Sequence, residues 1–235
     1  MSMQTPAEII ASKHAVIFDL FHTLTSLEWS QGTAQPLTHQ LLGVPREAWN
    51  EQLFFRSRDR LVGRQTDAVD IVTDMARAID PAITDEVIAA AVENRIARFA
   101  DALAAIPPAT QAVLAELKAR GKRIGLLSNA DVMEVAAWSA SPIAGAFDSE
   151  LFSCHAGCCK PEPEIYRLSL EQLGVSSSEA VFVGDGGSNE LSGARDVGLT
   201  TIMMSGVIRH LWPEQIPQRR RHADAEVACL DELLA

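Results

Sequence analysis

Short apolar runs recur along the chain, and polar residues follow several of them. The clearest runs lie at residues 15–19, 123–128, 180–184 and 199–203, with a further candidate at 149–154. Continuous apolar runs of this length are typical of strands that are buried on both faces, as in a parallel sheet. The pattern therefore predicts four strands of a buried parallel sheet and a fifth candidate strand.

Helical patterns alternate with these runs. Residues 107–120 begin with two prolines and place Val113 and Leu117 on one face, and residues 163–173 and 189–197 show similar patterns. Each pattern ends at a glycine, which is a common helix stop, whereas proline is common at a helix start. The alternation of strands and helices predicts an α/β fold in which right-handed crossovers join the strands.

A long stretch after the first strand has helical patterns and no convincing strand. Its candidate helices are residues 45–61, 67–79 and 85–103, and Pro81 and Thr84 separate the last two. We therefore predict that a helical insertion interrupts the α/β pattern. The predicted division gives a core formed by residues 1–26 and 106–235 and an inserted helical region formed by residues 27–105.

Composition and charge narrow the class of protein. The 235 residues are 47% hydrophobic and 22% charged, which are ordinary values for a globular protein. A formal net charge of -11 argues against a general nucleic-acid or anionic-membrane binder, because the mean field repels phosphate. It leaves room for a small anionic ligand in a locally positive pocket. We therefore expect a small-molecule substrate, and the oligomeric state stays open.

The sequence also bears on location. No apolar run reaches the ~18 residues that a membrane-spanning helix needs, and we find no pattern of a secretory signal. Three of the four cysteines lie within residues 154–159, which is a poor disulfide framework for a chain of this size. We predict a reduced, cytoplasmic protein.

Polar residues follow the predicted strands at the edge where an open parallel sheet binds its ligands. The carboxyl ends of neighbouring parallel strands meet at one edge, so side chains just beyond them converge on one crevice. The residues that we expect there are Asp19, Thr23, Ser128, Asn129, Lys160, Asp185, Ser188 and Glu190.

These residue types form a coherent set for phosphoryl transfer. The carboxylates Asp19 and Asp185 offer hard oxygen ligands of the kind that Mg²⁺ binds together with a substrate phosphate. Lys160 offsets negative charge, while Ser128 and backbone N–H groups hold oxygens that do not react. Asp19 can attack phosphorus to form an aspartyl-phosphate, a reaction that needs mainly positioning and charge stabilisation.

Four segments of the chain resemble the motifs of the haloacid dehalogenase-like (HAD) hydrolase superfamily, in the same order. They are Phe18-Asp-Leu-Phe-His-Thr-Leu24, Leu127-Ser-Asn129, Lys160-Pro-Glu-Pro-Glu-Ile-Tyr166 and Gly184-Asp-Gly-Gly-Ser-Asn-Glu190. A single motif of this kind is weak, and all four in order are specific. The resemblance covers the core and implies a hydrolase with a Rossmann-like parallel sheet core and an inserted helical cap domain of the C1 type.

The resemblance also implies roles for the individual residues. Asp19 is the nucleophile, and Thr23 is grouped with it as a catalytic residue. Mg²⁺ is the implied cofactor, with the backbone carbonyl of Phe21 among its ligands. The remaining implied roles are the second-motif hydroxyl for Ser128, the third-motif lysine for Lys160, substrate binding for Asn129 and Ser188, and metal binding for Asp19, Asp185 and Glu190.

The sequence leaves three roles of the Glu190 side chain open. It binds the metal through water, it orients Lys160, or it occupies the first turn of a helix, where acidic residues are favoured.

The residue at position 21 departs from the pattern of the superfamily's phosphatases. They usually carry a second Asp there, which acts as general acid and then as base, and Phe21 cannot transfer a proton. General acid–base help is worth about 10²–10⁴-fold, and its loss would hurt alkyl phosphates most. His22 either replaces this acid, since histidine titrates near neutral pH, or turns its ring away and caps the turn.

The dehalogenase branch of the superfamily has an aromatic residue at position 21, because halide leaves without a proton. That branch typically replaces the metal-binding Asp of the fourth motif with Ser, whereas this chain keeps Asp185. Residues 24–45 also contain no Arg to match the branch's substrate arginine. We therefore favour a Mg²⁺-dependent phosphatase of a small phosphorylated metabolite. The alternatives are a 2-haloacid dehalogenase-type hydrolase and a catalytically weakened binding protein on the same scaffold.

Several other features have two readings each. The cysteines near His155 bind zinc or, as we favour, pack in the core. The aromatic residues of the helical insertion line a substrate pocket or, as we favour, form core. The basic residues of the insertion are predicted to form a solvated helix face, and one of them is a candidate to bind an anionic group of the substrate. The run at 219–221 is predicted to be a solvated loop. The aromatic residues are Trp29, Trp49, Phe54 and Phe55, and the basic residues are Arg56, Arg58, Arg60 and Arg64.

Overall fold

A computed structural model of the chain describes residues 4–28, 35–56 and 58–235. Within these ranges, six parallel strands form one sheet in the order β3-β2-β1-β4-β5-β6. The strands are β1 Ala15–Phe18, β2 Arg123–Ser128, β3 Ser149–Phe152, β4 Ala180–Gly184, β5 Thr200–Met204 and β6 Ala225–Val227. The five predicted strands are confirmed. The short edge strand β6 was not predicted from the sequence.

β1 lies at the centre of the sheet, between β2 and β4. Its last residue, Phe18, pairs in register with Leu126 of β2 and Val183 of β4. The strand order reverses at β1, because one neighbour comes from each half of the chain, and such a switch point opens a crevice at the carboxyl edge of the sheet. Asp19 follows Phe18 and therefore stands at this crevice.

The two faces of the sheet are buried under separate layers of helix. Val16 and Phe18 share one hydrophobic core with the helices α1 Pro6–Ser12 and α7 Pro108–Ala119, whereas Ile17 and Ala15 share another with α10 Pro163–Leu173 and α11 Glu190–Asp196. All four residues of β1 are buried, as its continuous apolar pattern predicts. The architecture is the predicted α/β, Rossmann-like fold.

Helices fill the described chain between β1 and α7. They are α2 Thr38–Leu41, α3 Arg46–Glu51, a π-helical segment Gln52–Arg56, α4 Arg58–Leu61, α5 Ala68–Arg77 and α6 Asp85–Ala104. They pack around a core of their own, which includes Trp49, Ile71 and Ile88 and which Met133 of α8 Val132–Val135 joins. The boundaries 27 and 105 of a separate domain stay a prediction.

The prediction of one continuous helix over residues 45–61 is wrong. The π-helical segment interrupts it, and Phe54 and Phe55 within that segment are 63% and 76% exposed. The prediction that these two residues belong to the core is therefore also wrong. Trp49 is buried, as predicted, and Trp29 lies outside the described residues.

The remaining elements are short. No helix in the described part of the chain is long and apolar enough to cross a membrane. The remaining helices are α9 Ser153–Ala156, α12 Ile208–Leu211 and α13 Ile216–Arg220, and the 3₁₀ turns are Trp138–Ala140, Ser177–Glu179, Gly187–Asn189, Pro213–Gln215 and Leu230–Leu233.

Candidate active site

The end of β1 and the turn after it place Asp19 and Thr23 together. The backbone N–H of Asp19 still donates to Val183 of the neighbouring strand, at 2.9 Å. The chain then turns tightly, because the carbonyl of Leu20 accepts hydrogen bonds from Leu24 and Thr25. This turn brings the Thr23 hydroxyl within 3.1 Å of Asp19 Oδ2, to which it donates. Both side chains are buried, so the hydroxyl fixes one carboxylate oxygen.

Lys160 joins two of the predicted carboxylates. Its Nζ lies 2.5 Å from Asp19 Oδ1 and 2.5 Å from Glu190 Oε2, and all three side chains are buried. The Asn129 amide holds the lysine backbone from both sides: its Nδ2 donates to the Lys160 carbonyl and its Oδ1 accepts from the Lys160 N–H, each at 2.8 Å. This contact matches the interpretation in which Glu190 orients Lys160, and Glu190 is also the first residue of α11, as a second interpretation states. Metal binding by Glu190 stays a prediction.

Burial and crowding shift the pKa of each member of this group. Burial and the neighbouring carboxylates raise the pKa of Glu190 to about 8. Burial also raises the pKa of Asp19, with Asp185 adding to the effect and Lys160 opposing it. Burial alone would lower the pKa of Lys160, but Asp19 and Glu190 raise it well above its ordinary value. The ammonium group is therefore firmly charged beside Asp19.

Glycines at the end of β4 make room for Glu190. A Cβ at Gly184 would lie 2.3 Å from Glu190 Oε1, so a larger residue there would push the carboxylate away. The N–H of Gly186 donates to the same oxygen at 2.9 Å, and Gly186 has a φ of 85°, which other residues rarely adopt. The glycine-rich sequence of the fourth motif thus positions a carboxylate.

Asp185 is held by a residue that the sequence analysis missed. Its Oδ1 accepts from the N–H of Gly187 at 2.7 Å, and its Oδ2 accepts from Arg219 at 2.7 Å. The Arg219 guanidinium also donates to the Asp185 carbonyl and, through its other nitrogen, to Gln215. The prediction that residues 219–221 form a solvated loop is wrong for Arg219, whose side chain is only 13% exposed.

Three carboxylates lie close enough to share one cation. Asp19, Asp185 and Glu190 each offer an oxygen, and these oxygens lie within 4.8 Å of one another. No other cluster of histidine, cysteine or carboxylate ligands with three or more members occurs among the described residues, so the cysteines near His155 form no such site. A set of hard carboxylate oxygens fits Mg²⁺ chemistry. Lys160 already contacts Asp19 and Glu190, and Arg219 contacts Asp185.

The Ser128 hydroxyl is a candidate to bind an oxygen of a ligand. It is the last residue of β2 and is buried, yet its Oγ has no hydrogen-bond partner among the described residues. Buried hydroxyls are nearly always paired, and an unpaired one costs about 1–3 kcal/mol. The hydroxyl therefore suits a ligand oxygen, in line with the role that the second motif implies.

His22 points its ring toward the site. Its backbone has a φ of 64°, which is uncommon for a residue with a side chain. Its Nδ1 lies 3.7 Å from Asp185 Oδ2, its Nε2 lies 3.6 Å from Glu28 Oε2, and its ring meets Trp212 edge-on at 5.2 Å. Burial alone would lower its pKa, but Glu28 and Asp185 raise it. The reading in which the ring turns away from the site is wrong.

A cavity of about 290 Å³ opens onto this edge of the sheet. Phe21, His22, Asn129 and Ser188 line it on the side of the sheet, and residues of the helical region, including Phe99, line it on the other. The Phe21 and Phe99 rings meet edge-on at 5.1 Å, so position 21 is an apolar part of the wall. The substrate-binding roles of Asn129 and Ser188 stay predictions.

The basic residues of the helical region were predicted to form a solvated face. Arg56, Arg58 and Arg64 are exposed and pair with nearby carboxylates, as expected. Arg60 is buried, which contradicts the prediction. It belongs to a buried cluster of two arginines and two acids, which consists of Arg60, Arg95, Asp131 and Glu134.

Comparison with known proteins shows the family. The model of the haloacid dehalogenase-like hydrolases matches residues 13–198, which is most of the chain, and the chain therefore belongs to this family of hydrolases. Phosphoserine phosphatase of Thermus thermophilus is 33% identical over 115 residues, 48% of this chain and 46% of that protein. (S)-2-haloacid dehalogenase 4A of Burkholderia cepacia is 32% identical over 115 residues, 48% of this chain and 49% of that protein.

Solved structures agree with the fold. L-2-haloacid dehalogenase from Xanthobacter autotrophicus has a TM-score of 0.62 and 20% sequence identity, covering 94% of this chain and 97% of that chain. At this identity the likeness concerns the fold alone. The chain spans less than half the length of the first curated relatives that it matches.

Proposed function

We propose that the protein is a Mg²⁺-dependent phosphatase that hydrolyses a small phosphorylated metabolite through an aspartyl-phosphate on Asp19. One observation carries this proposal: Asp185 and Glu190 crowd the nucleophile, with oxygens of all three carboxylates within 4.8 Å. Three carboxylates there face two side-chain cations, Lys160 and Arg219. Burial raises the pKa values of Asp19 and Glu190, and the neighbouring carboxylates add to the rise; a further cation would lower both values.

The residues of the chain divide the work of the first step. Thr23 and Lys160 each hold one oxygen of the Asp19 carboxylate, which attacks phosphorus as the bond to the leaving oxygen breaks. Lys160 and the unpaired hydroxyl of Ser128 bind oxygens of the transferring phosphoryl group. The three carboxylates and the Phe21 carbonyl would hold magnesium, which would supply positive charge to offset the negative charge of the phosphate.

His22 is our candidate for the missing acid and base. It lines the cavity beside Phe21, and Glu28 and Asp185 favour its protonated form. In the first step it donates a proton to the leaving oxygen. In the second it accepts a proton from the water that attacks phosphorus, which breaks the bond to Asp19 and releases phosphate. Each proton transferred is returned, so the enzyme is regenerated.

The helical region completes the proposed enzyme as a cap. Its residues form one wall of the cavity, which supports a role in excluding bulk water and selecting the substrate. A cytoplasmic location is part of the same proposal. All four cysteines are free, which is the form expected in a reducing compartment.

A second candidate is a dehalogenase in which Asp19 attacks carbon and halide leaves. Two observations favour it: Phe21 makes the wall beside the nucleophile apolar, and Arg219 already neutralises Asp185. Substrate panels with Mg²⁺ or with EDTA separate the candidates. The panel contains p-nitrophenyl phosphate, acetyl phosphate, sugar and organic-acid phosphates and 2-chloropropionate, with Asp19→Asn as the blank.

The outcomes of this panel are distinct. Release of phosphate that requires Mg²⁺ and is lost in Asp19→Asn supports the phosphatase. Release of chloride that persists in EDTA supports the dehalogenase and refutes the first proposal. Absence of any turnover that depends on Asp19 leaves the third reading, a binding protein on the hydrolase scaffold.

A further inference from the structure

Four arginines line the cavity on the side of the helical region, and they differ in their partners. Arg60 and Arg95 pair with the acids of the buried cluster, and Arg46 is exposed. Arg98, on α6, is partly buried and forms no ion pair with any described residue. Every Asp and Glu of the chain lies within the described ranges. Arg98 therefore presents a positive charge at the cavity that no carboxylate pairs with.

The surroundings of Arg98 favour an anion. Burial and the like charge of Arg95 lower its pKa, and Glu28 opposes this only in part. The Glu28 carboxylate is itself engaged by Ser26 and His22. A desolvated guanidinium without acceptors loses hydrogen bonds that it would make in water. An anionic group bound from the cavity would supply those bonds.

Thr38 adds an independent sign of a ligand. It is 3% exposed and lines the same cavity, and its Oγ1 has no hydrogen-bond partner among the described residues. Its helix, α2, packs against α6, which carries Arg98. A buried hydroxyl without a partner is rare in proteins. Within the described part of the chain, a hydroxyl and a guanidinium on two packed helices thus both lack partners at one cavity.

The wall that carries Arg98 adjoins the segment that follows Asp19. Phe99, next to Arg98, packs on Phe21, which follows the nucleophile by two residues. The cavity of about 290 Å³ is near the lower limit of ligand pockets, about 300 Å³. Phe21 and Arg98 line the same cavity, so we expect a compact metabolite that reacts at Asp19 to extend toward the wall that carries Arg98.

We infer that Arg98 and Thr38 form a subsite for a carboxylate group of the substrate, so that the enzyme acts on small phosphorylated acids. The identity of the reacting group rests on the proposed function, and the subsite does not. The planar guanidinium binds a carboxylate through two parallel hydrogen bonds, and the Thr38 hydroxyl donates a third to one of the same oxygens.

The test compares two probes that differ only in the second anionic group. They are 2-phosphoglycolate, which has a carboxylate, and 2-hydroxyethyl phosphate, which has an alcohol in its place. Binding is measured by calorimetry in the Asp19→Asn background, so that no turnover interferes. We compare Arg98→Gln with the matched control Arg46→Gln, which removes an exposed charge from the same cavity, and with Thr38→Val.

We expect the parent protein to bind phosphoglycolate more tightly than hydroxyethyl phosphate. Arg98→Gln should weaken phosphoglycolate by about tenfold to a hundredfold, the range for losing charge-assisted hydrogen bonds, and leave hydroxyethyl phosphate unchanged. Thr38→Val should weaken phosphoglycolate by about three- to tenfold. Arg46→Gln should change neither probe by more than about twofold.

Three results would overturn the subsite: equal affinity for the two probes, no effect of Arg98→Gln, or an equal effect of Arg46→Gln. If Arg98→Gln fails to fold, Thr38→Val decides. Activity separates this inference from the proposed function. Hydrolysis of p-nitrophenyl phosphate without any dependence of probe binding on Arg98 would refute the subsite alone. Binding that depends on Arg98 in a protein that hydrolyses no phosphate ester would refute the proposed function alone.

Discussion

Replacing Arg219 by glutamine should tighten the binding of Mg²⁺. Arg219 donates to Asp185 Oδ2 at 2.7 Å and to its carbonyl at 3.1 Å, and the two side chains are only 13% and 7% exposed, so solvent screens the pair little. A metal ion that takes Oδ2 must displace this guanidinium or share the oxygen with it. The native arginine therefore competes with the metal.

The size of the effect follows from the contact that the metal replaces. A hydrogen bond to a charged group contributes about 1.5–3 kcal/mol, and about 1.4 kcal/mol corresponds to a tenfold change in affinity. Arg219→Gln should therefore lower the Kd for Mg²⁺ by about ten- to a hundredfold. In the absence of metal, the same variant should lose about 1.5–3 kcal/mol of unfolding free energy, because the buried Asp185 carboxylate loses its cation.

The assay is the midpoint of thermal unfolding as a function of Mg²⁺ concentration, because a ligand that binds only the folded state raises that midpoint. Arg220→Gln is the matched control, since Arg220 lies on the same helix and pairs with Glu226. We expect a steeper dependence on Mg²⁺ for Arg219→Gln and an unchanged one for the control. An equal or weaker Mg²⁺ affinity in Arg219→Gln would refute the competition.

Four further outcomes are expected. Because His22 supplies the proton in the proposed mechanism, Phe21→Asp should raise the ratio of kcat/KM for alkyl over aryl phosphates mainly in the His22→Gln background, by up to about 10²–10⁴-fold, and an unchanged ratio there would show that an acid at position 21 does not transfer the proton. His22→Gln should lower the turnover of alkyl phosphates by at least about 10²-fold with less effect on acyl phosphates; equal losses would argue against an acid role. Arg95→Met should lower the unfolding free energy in urea by about 3–5 kcal/mol, because it leaves the acids of the buried cluster short of a cation, and a loss below about 1 kcal/mol would contradict this reasoning. An alkylating reagent at pH 8 should modify exposed Cys229 before buried Cys154, because burial raises the pKa of Cys154 to about 11 and only the thiolate reacts; labelling of Cys154 should accelerate as the pH rises, and equal rates at pH 8 by mass spectrometry would be inconsistent with its burial.

Topology explains why much of the site could be predicted from the sequence. Apolar runs buried on both faces identified the strands, and parallel strands place the residues beyond their carboxyl ends at one edge. Asp19, Lys160 and Glu190 therefore converge although 171 positions separate the first from the last. Their contact distances and the pairing of Asn129 with the lysine backbone needed three-dimensional coordinates.

Arg219 was missed because an ion pair between distant segments has no local signature. It follows Asp185 by 34 positions, and three consecutive arginines suggest a solvated surface. A usable signal was nevertheless present: Ile208, Trp212 and Ile216 recur at four-residue spacing and pack against the sheet. Arg219 falls three residues after Ile216, on the same side of that pattern. A charged residue that lies three or four positions from such an apolar stripe is therefore a candidate for a buried ion pair.

The prediction for Phe54 and Phe55 failed because helical periodicity was trusted too far. Helical periodicity indicated that they face a core, but the π-helical segment alters the angular spacing of side chains and leaves both exposed. One extra residue in a turn rotates everything after it relative to the apolar face. Strand β6 was not predicted for a different reason: it is three residues long and contains Glu226, so it has no continuous apolar run.

The buried cluster sets how the two parts of the molecule can move. It joins Arg60 and Arg95 of the helical region to Asp131 and Glu134 beyond β2, and Arg60 lies 2.6 Å from Asp131. Parting these charges would cost about 3–5 kcal/mol, so a state open at this point would hold less than about 1% of the molecules. The cluster is therefore a fixed pivot, and motions of the helical region relative to the sheet should be largest far from it. Arg60 of the cluster also donates to the carbonyl of Leu53 at 2.8 Å, so the exposed Phe54 lies beside the pivot, and we expect substrate and product to pass elsewhere along the cavity.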